Sequence, residues 1–220
     1  MYIPDHFAEQ RPQQLHRIIH DNPLGIVVMP GDSGMDADHL PFDFDPRHGP
    51  RGLLTAHVAR ANPLWQRCAQ GAPVLVIFRG AQAYVSPNGY ASKHQTHRQV
   101  PTWNYEVVHV HGVMRVMQDP KRLRRTLALL TRQHEASEPE PWKMGDAPRA
   151  FLDDMLTKIV GIEIEPLRFE CKRKLNQNKD HADRLSAIVH LRERGETALA
   201  QIMLENLGPL DPEAAPWSWS

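Results

Sequence analysis

Cys68 and Cys171 are the only cysteines in this 220-residue chain, enough for one bridge at most and too few for a disulfide framework. A reducing compartment is the expectation. No apolar stretch approaches the ~20 residues of a membrane span, and the opening MYIPDHFAEQRPQQLH places charge and proline where a secretory signal needs an apolar run. A cytoplasmic protein with no membrane partner is expected. Net charge is also missing: 26 Lys and Arg face 26 Asp and Glu. No overall field therefore draws the chain to DNA or anionic lipid, and any polyanion contact must be local. Internal repeats, a Gly-x-Ser-x-Gly elbow, a Walker loop and a Gly-x-Gly-x-x-Gly loop are all absent, which leaves hydrolase and nucleoside-triphosphatase readings without their usual signatures.

What is present suits one barrel-sized core with a small helical appendage, since 41% of residues are hydrophobic. Leu15, Ile18 and Ile19 predict a short amphipathic helix over 11–21, stopped before Pro23 and lying as a lid on the barrel. LGIVVM at 24–29 and the turn residues at 30–34 predict a strand entering a hairpin, and Leu40, Phe42 and Phe44 alternate as a second strand. Further strands are expected at 52–58, 74–78 and 83–86, then a long polar loop from Pro87 to Pro101 that reads as functional.

Residues 105–117 form the longest strand candidate, with Gly112 as a bulge or close-approach point. A helix of roughly four turns from Asp119, a linker at 138–145 and a helix at 149–158 lead to a last strand. There the apolar parity moves from Ile162 and Ile164 to Leu167, Phe169 and Cys171, predicting a bend at Glu165-Pro166. Helices at 180–194 and 196–206, broken at Gly195, precede a Pro-rich tail expected to be disordered. Short strands with little room for crossover helices predict a mainly β fold with peripheral helices, an antiparallel barrel rather than a parallel α/β sheet.

Four constellations could carry chemistry. In HVARANPLW at 57–65 a strand becomes a helical turn, where Arg60 offers a planar donor set suited to phosphate and Asn62 can cap; the alternative is a solvated surface arginine. Thr102, Trp103 and Asn104 put a hydroxyl, an indole and a carboxamide at the mouth of a strand, able to meet a heteroaromatic edge or simply to plug the core. Lys172 to Lys179 form a basic, amide-rich corner that could close on a phosphate or on nucleic acid backbone, or could be a solvated strand end. His109 and His111 share a strand face and could share an ion, but no Cys or carboxylate stands nearby at recognisable metal spacing, and no metal site is expected.

Taken together, MYIPDHF, Asp38 to Pro41, HVARANPLW, AYVSP at 83–87, Tyr90 with Lys93, VPTWNY at 100–105 and Lys174 to Asn178 resemble the PaiB family. That family comprises FMN-binding negative regulators of protease synthesis and sporulation. The resemblance implies an antiparallel, Greek-key split β-barrel related to flavin reductases and pyridoxamine-phosphate oxidases, dimeric, with FMN between subunits. It implies cofactor contacts among His39, His57, Arg60, Asn62, Ser86, Lys93, Thr102, Trp103, Asn104, Lys174, Gln177 and Asn178. By residue type, Arg60, Asn62, Lys93 and Lys174 suit the phosphate, Ser86, Trp103 and Asn104 the ring, and Gln177 and Asn178 the ribityl chain or phosphate.

Three positions depart from the family pattern: Asp38 replaces a small hydroxyl residue, Gly89 a tryptophan, and Asn176 the more usual serine. A carboxylate near a flavin phosphate would repel it, and a glycine would thin one wall of the pocket or leave the loop more mobile.

The expected organisation is a split-barrel domain over 1–170 with a helical insert at 119–158, a helical appendage over 171–210 and a tail at 211–220. The expected function is transcriptional regulation by a homodimer acting on DNA or through a partner protein. The alternatives are a small FMN-dependent oxidoreductase and an FMN or heme storage or sensing protein.

Overall fold

The computed structural model describes residues 1–68, 70–117 and 119–208. The expected disordered tail at 211–220 lies outside the described residues.

The chain opens with helix α1 (Pro12–Asp21), which buries Ile18 and Ile19 as its apolar spacing requires. Strands β1 (Leu24–Gly31) and β2 (Gly34–Pro41) form an antiparallel hairpin closing at Gly31 and Gly34, whose φ of +136° favours glycine. The strand expected through Leu40, Phe42 and Phe44 is in fact two. At Phe42, whose N–H still bonds Pro23 O at 2.9 Å, the chain changes partner. Strand β3 (Asp43–Asp45) then pairs with β4 (Leu53–Ala59) instead of β1.

A short helix α2 (Leu64–Arg67) follows β4, and β5 (Ala72–Val85) is one continuous strand where the sequence predicted two. Its inward parity slips between Gly80 and Ala83, so the polar stretch at 79–82 that reads as a break is extended backbone changing register. The loop from 87 to 101 contains a 3-10 turn at Pro87–Gly89 and a one-turn helix α3 (Lys93–Thr96).

Strand β6 (Thr102–Val116) confirms Gly112 as a close-approach point, because a Cβ there would lie 2.6 Å from Glu165 O. Helix α4 (Pro120–Glu135) is capped by Asp119, whose side chain accepts Lys121 N–H at 2.8 Å. After helix α5 (Arg149–Thr157) comes β7 (Ile159–Lys174), whose inward parity runs on through Pro166. Leu167, expected inside, is 58% exposed, and full burial resumes at Cys171. Helices α6 (His181–Glu193) and α7 (Thr197–Glu205) are separated at Gly195, where φ is +81°.

The strands form one sheet in the order β2-β1-β5-β6-β7-β4-β3, and β1–β2, β1–β5, β3–β4 and β4–β7 pair antiparallel. Contacts divide the chain into two compact units. The first gathers Met1–Glu9, Gly80–Val107 and the described residues from Cys171 onward; the second holds Gln10–Arg79 and Val108–Glu170. The first unit packs Val85 and Tyr90 with Leu175, Ile188, Leu191, Leu199 and Met203, so α6 and α7 supply much of its core. The second buries Phe42 edge-on against Phe78, with Leu54, Val76, Ile162 and Ile164.

Candidate functional site: a cationic corner beside an exposed indole

In the first unit, the end of β7 and the start of β6 bring Lys174 to Thr102, whose hydroxyl oxygen accepts a hydrogen bond from the ammonium. Burial lowers the pKa of Lys174; nearby Tyr105 opposes that shift and Lys172 adds to it. The next residue, Trp103, turns outward and is 49% exposed, with the Tyr84 ring edge-on at 6.3 Å between centroids. The exposed part of the indole offers a flat apolar face on which a ring could pack.

Among the described residues the surrounding cations also have no carboxylate partner. Lys179 donates to Gln99 Oε1 at 2.6 Å and lies 5.2 Å from the Tyr90 ring centroid. Lys172 donates to Tyr2 O at 3.2 Å and stands over the Tyr2 and Tyr105 rings. Arg173, facing the opposite way, is the exception. Its guanidinium is buried and ion-paired to Glu106 at 2.5 Å and Glu9 at 3.3 Å.

The loop carrying half-buried Lys93 is fastened from behind by buried Asp183 of α6. The Asp183 carboxylate accepts from Ser92 N at 2.8 Å, Ser92 Oγ at 2.7 Å and Gln99 Nε2 at 2.8 Å. No sequence signal marked Asp183, whose partners lie some 80–90 residues earlier in the chain.

Several other expected contacts in this unit make hydrogen bonds within the protein. Asn104 is fully buried, with its amide toward Met203 Sδ at 3.5 Å. Gln177 closes its own turn, donating to Arg173 O at 2.6 Å and accepting from Leu175 N at 2.7 Å. Ser86 Oγ accepts Asn88 N–H at 3.2 Å as a cap. Asn178 is exposed. Asn176 adopts a left-handed φ of +64°, which asparagine tolerates better than most residues, and accepts from Tyr90 Oη at 3.3 Å. Gly89 does not thin a wall. A Cβ there would sit 3.1 Å from the His190 ring, so α6 already fills the place of a larger residue.

The second unit holds the remaining expected residues. Arg60, at the end of β4, donates from Nε to Thr157 O at 2.6 Å and from Nη2 to Ile159 O at 2.9 Å. Only Nη1 has no partner among the described residues. Asn62 caps the following turn through Leu64 N–H at 2.9 Å, and its amide donates to Asp38 Oδ1, also at 2.9 Å. The Asp38 carboxylate is thus partly satisfied by the protein. His39 is exposed on β2, and His57 lies half-buried on β4 with Nδ1 lacking a hydrogen-bond partner. Burial lowers the His57 pKa.

Also in this unit, His109 and His111 of β6 meet Glu170 of β7. His111 Nε2 is 3.3 Å and His109 Nδ1 3.9 Å from Glu170 Oε2. Burial lowers the His109 pKa and Glu170 partly offsets it. Glu170 is the carboxylate that sequence spacing did not reveal, because it reaches His111 from 59 residues away.

The architecture has counterparts among solved structures. The FAD- and heme-binding protein of Mycobacterium smegmatis superposes with a TM-score of 0.58 at 17% identity, over 81% of this chain and 78% of that one. The flavocytochrome Anf3 of Azotobacter vinelandii gives 0.58 at 13% identity, over 78% and 72%. The fold is that of the antiparallel split β-barrels. Within that class the chain belongs to the PaiB-type family described as "Putative FMN-binding domain", which matches residues 1–167. Among its relatives, "Protease synthase and sporulation protein PAI 2" of Bacillus subtilis is 29% identical over 94% of this chain and 98% of its own length. An uncharacterised protein of Emericella nidulans is 30% identical over 90% of this chain and 93% of its own.

Proposed function

We propose that the chain binds FMN as a homodimer, with the cofactor at the subunit interface, and works in the cytoplasm as a transcriptional regulator of PaiB type. One observation carries the flavin reading: Lys174, half-buried and partnered by a hydroxyl instead of a carboxylate, stands beside an exposed tryptophan. A buried cation with a neutral partner leaves unmet charge that a phosphate would neutralise, and the indole offers an apolar face for a heteroaromatic ring. The donor set therefore fits FMN. Lys174, Thr102, Lys93 and Asn178 would meet its polar end and Trp103 its ring, while Asp183 keeps the Lys93 loop in place.

Ser86 and Gln177 would contribute by shaping the corner, since their hydrogen bonds are made within the chain, whereas Asn104 keeps a buried Oδ1 without a partner among the described residues. For His39, His57, Asn62 and Arg60 of the second unit the proposed cofactor role rests on residue type and the family likeness alone. Bound FMN would supply a reversible redox centre. Support for a regulatory output comes from the near full-length likeness to PAI 2 of B. subtilis.

Denaturing the purified protein and weighing the released chromophore tests the reading. FMN in near-equal amount to the chain, a dimeric elution volume, and salt-sensitive retention on promoter DNA or on a regulatory partner are expected. Absence of bound flavin even after excess FMN would overturn the cofactor. Rapid NAD(P)H oxidation would replace regulation with an FMN-dependent oxidoreductase.

A further inference from the structure

His109 and His111 occupy alternate positions on β6 and so project to one side of the sheet. Glu170, on β7, brings a carboxylate oxygen to both rings, and one donor atom from each of the three residues lies within 4.8 Å of the others. A four-coordinate ion bound at ~2.0–2.1 Å spaces its ligand atoms about 3.3 Å apart. The two ring–carboxylate distances are 3.3 and 3.9 Å, so sub-ångström movements would bring the carboxylate oxygen to that spacing from each ring. Arg168 ion-pairs with the other carboxylate oxygen, Oε1, while Oε2 faces the histidines. Outer partners of this kind commonly fix the direction of a metal-ligating carboxylate. All three side chains are partly buried, with 16 to 33% exposure, which limits competition from bulk water and still leaves an approach for an ion.

We propose that His109, His111 and Glu170 form a binding site for a first-row divalent cation of the zinc class. Two imidazoles with one carboxylate suit such an ion far better than Ca²⁺ or Mg²⁺, which prefer all-oxygen shells. Binding replaces the hydrogen-bonded proton between His111 and Glu170. The Nε2 proton of His111 moves to Nδ1 or to solvent, and Nε2 becomes a ligand. The site is independent of the flavin reading.

The test uses the full chain, stripped with a chelator and free of added flavin. Co²⁺ serves as the spectroscopic probe and Zn²⁺ as its competitor. A single Co²⁺ per chain with ligand-field absorption characteristic of four-coordination, displaced by Zn²⁺, is the expected result. His111→Ala and Glu170→Gln should each weaken Zn²⁺ binding about tenfold or more, while replacing His94 and His97 in the loop leaves it unchanged. Glu170→Gln keeps the side-chain volume, and circular dichroism verifies its fold. A Co²⁺ spectrum of the free aqua ion type, or Zn²⁺ affinity within about twofold of the parent chain in both ligand variants, would overturn the site.

Discussion

Arg60 and Lys174 have no carboxylate partner among the described residues, and their two corners use the charge differently. At the end of β4, Arg60 gives two nitrogens to the carbonyls of Thr157 and Ile159, and its neighbour Asn62 is divided between a turn and Asp38. That guanidinium ties the start of β7 to the end of β4. At the end of β7, Lys174 gives its ammonium to one hydroxyl beside an exposed indole. The first cation is largely consumed by the fold, whereas the second is held in place with charge to spare. Arg173 gives the contrasting case within the same segment, a buried cation fully matched by two glutamates.

The comparison can be broken at several points. Arg173→Met should have the largest effect, costing about 3–5 kcal/mol because Glu106 and Glu9 lose their buried counter-charge; urea unfolding measures it. Asp183→Ala should cost about 2 kcal/mol from its lost charged hydrogen bonds. It should also expose the 87–101 loop to protease at concentrations that leave the parent intact. Lys174→Met should change stability by less than about 1 kcal/mol, the net worth of one hydrogen bond, yet weaken FMN binding about tenfold. Arg60→Ala should reverse that ranking, with about 1 kcal/mol lost from stability and only about a threefold loss of FMN affinity. If Arg60→Ala proves the more damaging to flavin binding, the roles assigned to the two corners are exchanged.

The smallest effect is in pH dependence. His57 has a folded-state pKa below the ordinary imidazole value of about 6.5, the shift being caused by burial. In acid the unfolded chain therefore takes up a proton before the folded one does. Stability falls as pH drops from the unfolded value through the lowered folded value, and the full penalty is present below it. His57→Gln should flatten that part of the unfolding midpoint against pH profile; an unchanged slope would show that His57 does not contribute.

Local chemistry was legible from residue order. Asp119-Pro120 announced the start of α4, Gly195 the break between α6 and α7, and Gly112 a point where another backbone comes close. Each depends on a cap, a φ angle or a missing Cβ, which neighbouring residues determine. Partner exchange was not legible. Nothing in Leu40 to Phe44 shows that pairing passes from β1 to β4 at Phe42, and Arg79 to Gln82 look like a break because their polarity hides a register slip.

The site shows the same division. Thr102 with Trp103 and, separately, Lys174 were legible by residue type, but their meeting, the inward turn of Asn104 and the anchoring role of Asp183 depend on elements distant in sequence. Gly89 looked like a loss until His190 was found beside it. Glu170 joined the two histidines only once β7 lay next to β6.

The most direct test of the flavin corner is a titration of FMN into the parent chain and into Lys174→Met, followed by quenching of flavin fluorescence. Saturable binding at one FMN per chain, weakened about tenfold in the variant with its fold intact, is the predicted result. Equal affinity in the two proteins would contradict the assignment of the phosphate to Lys174.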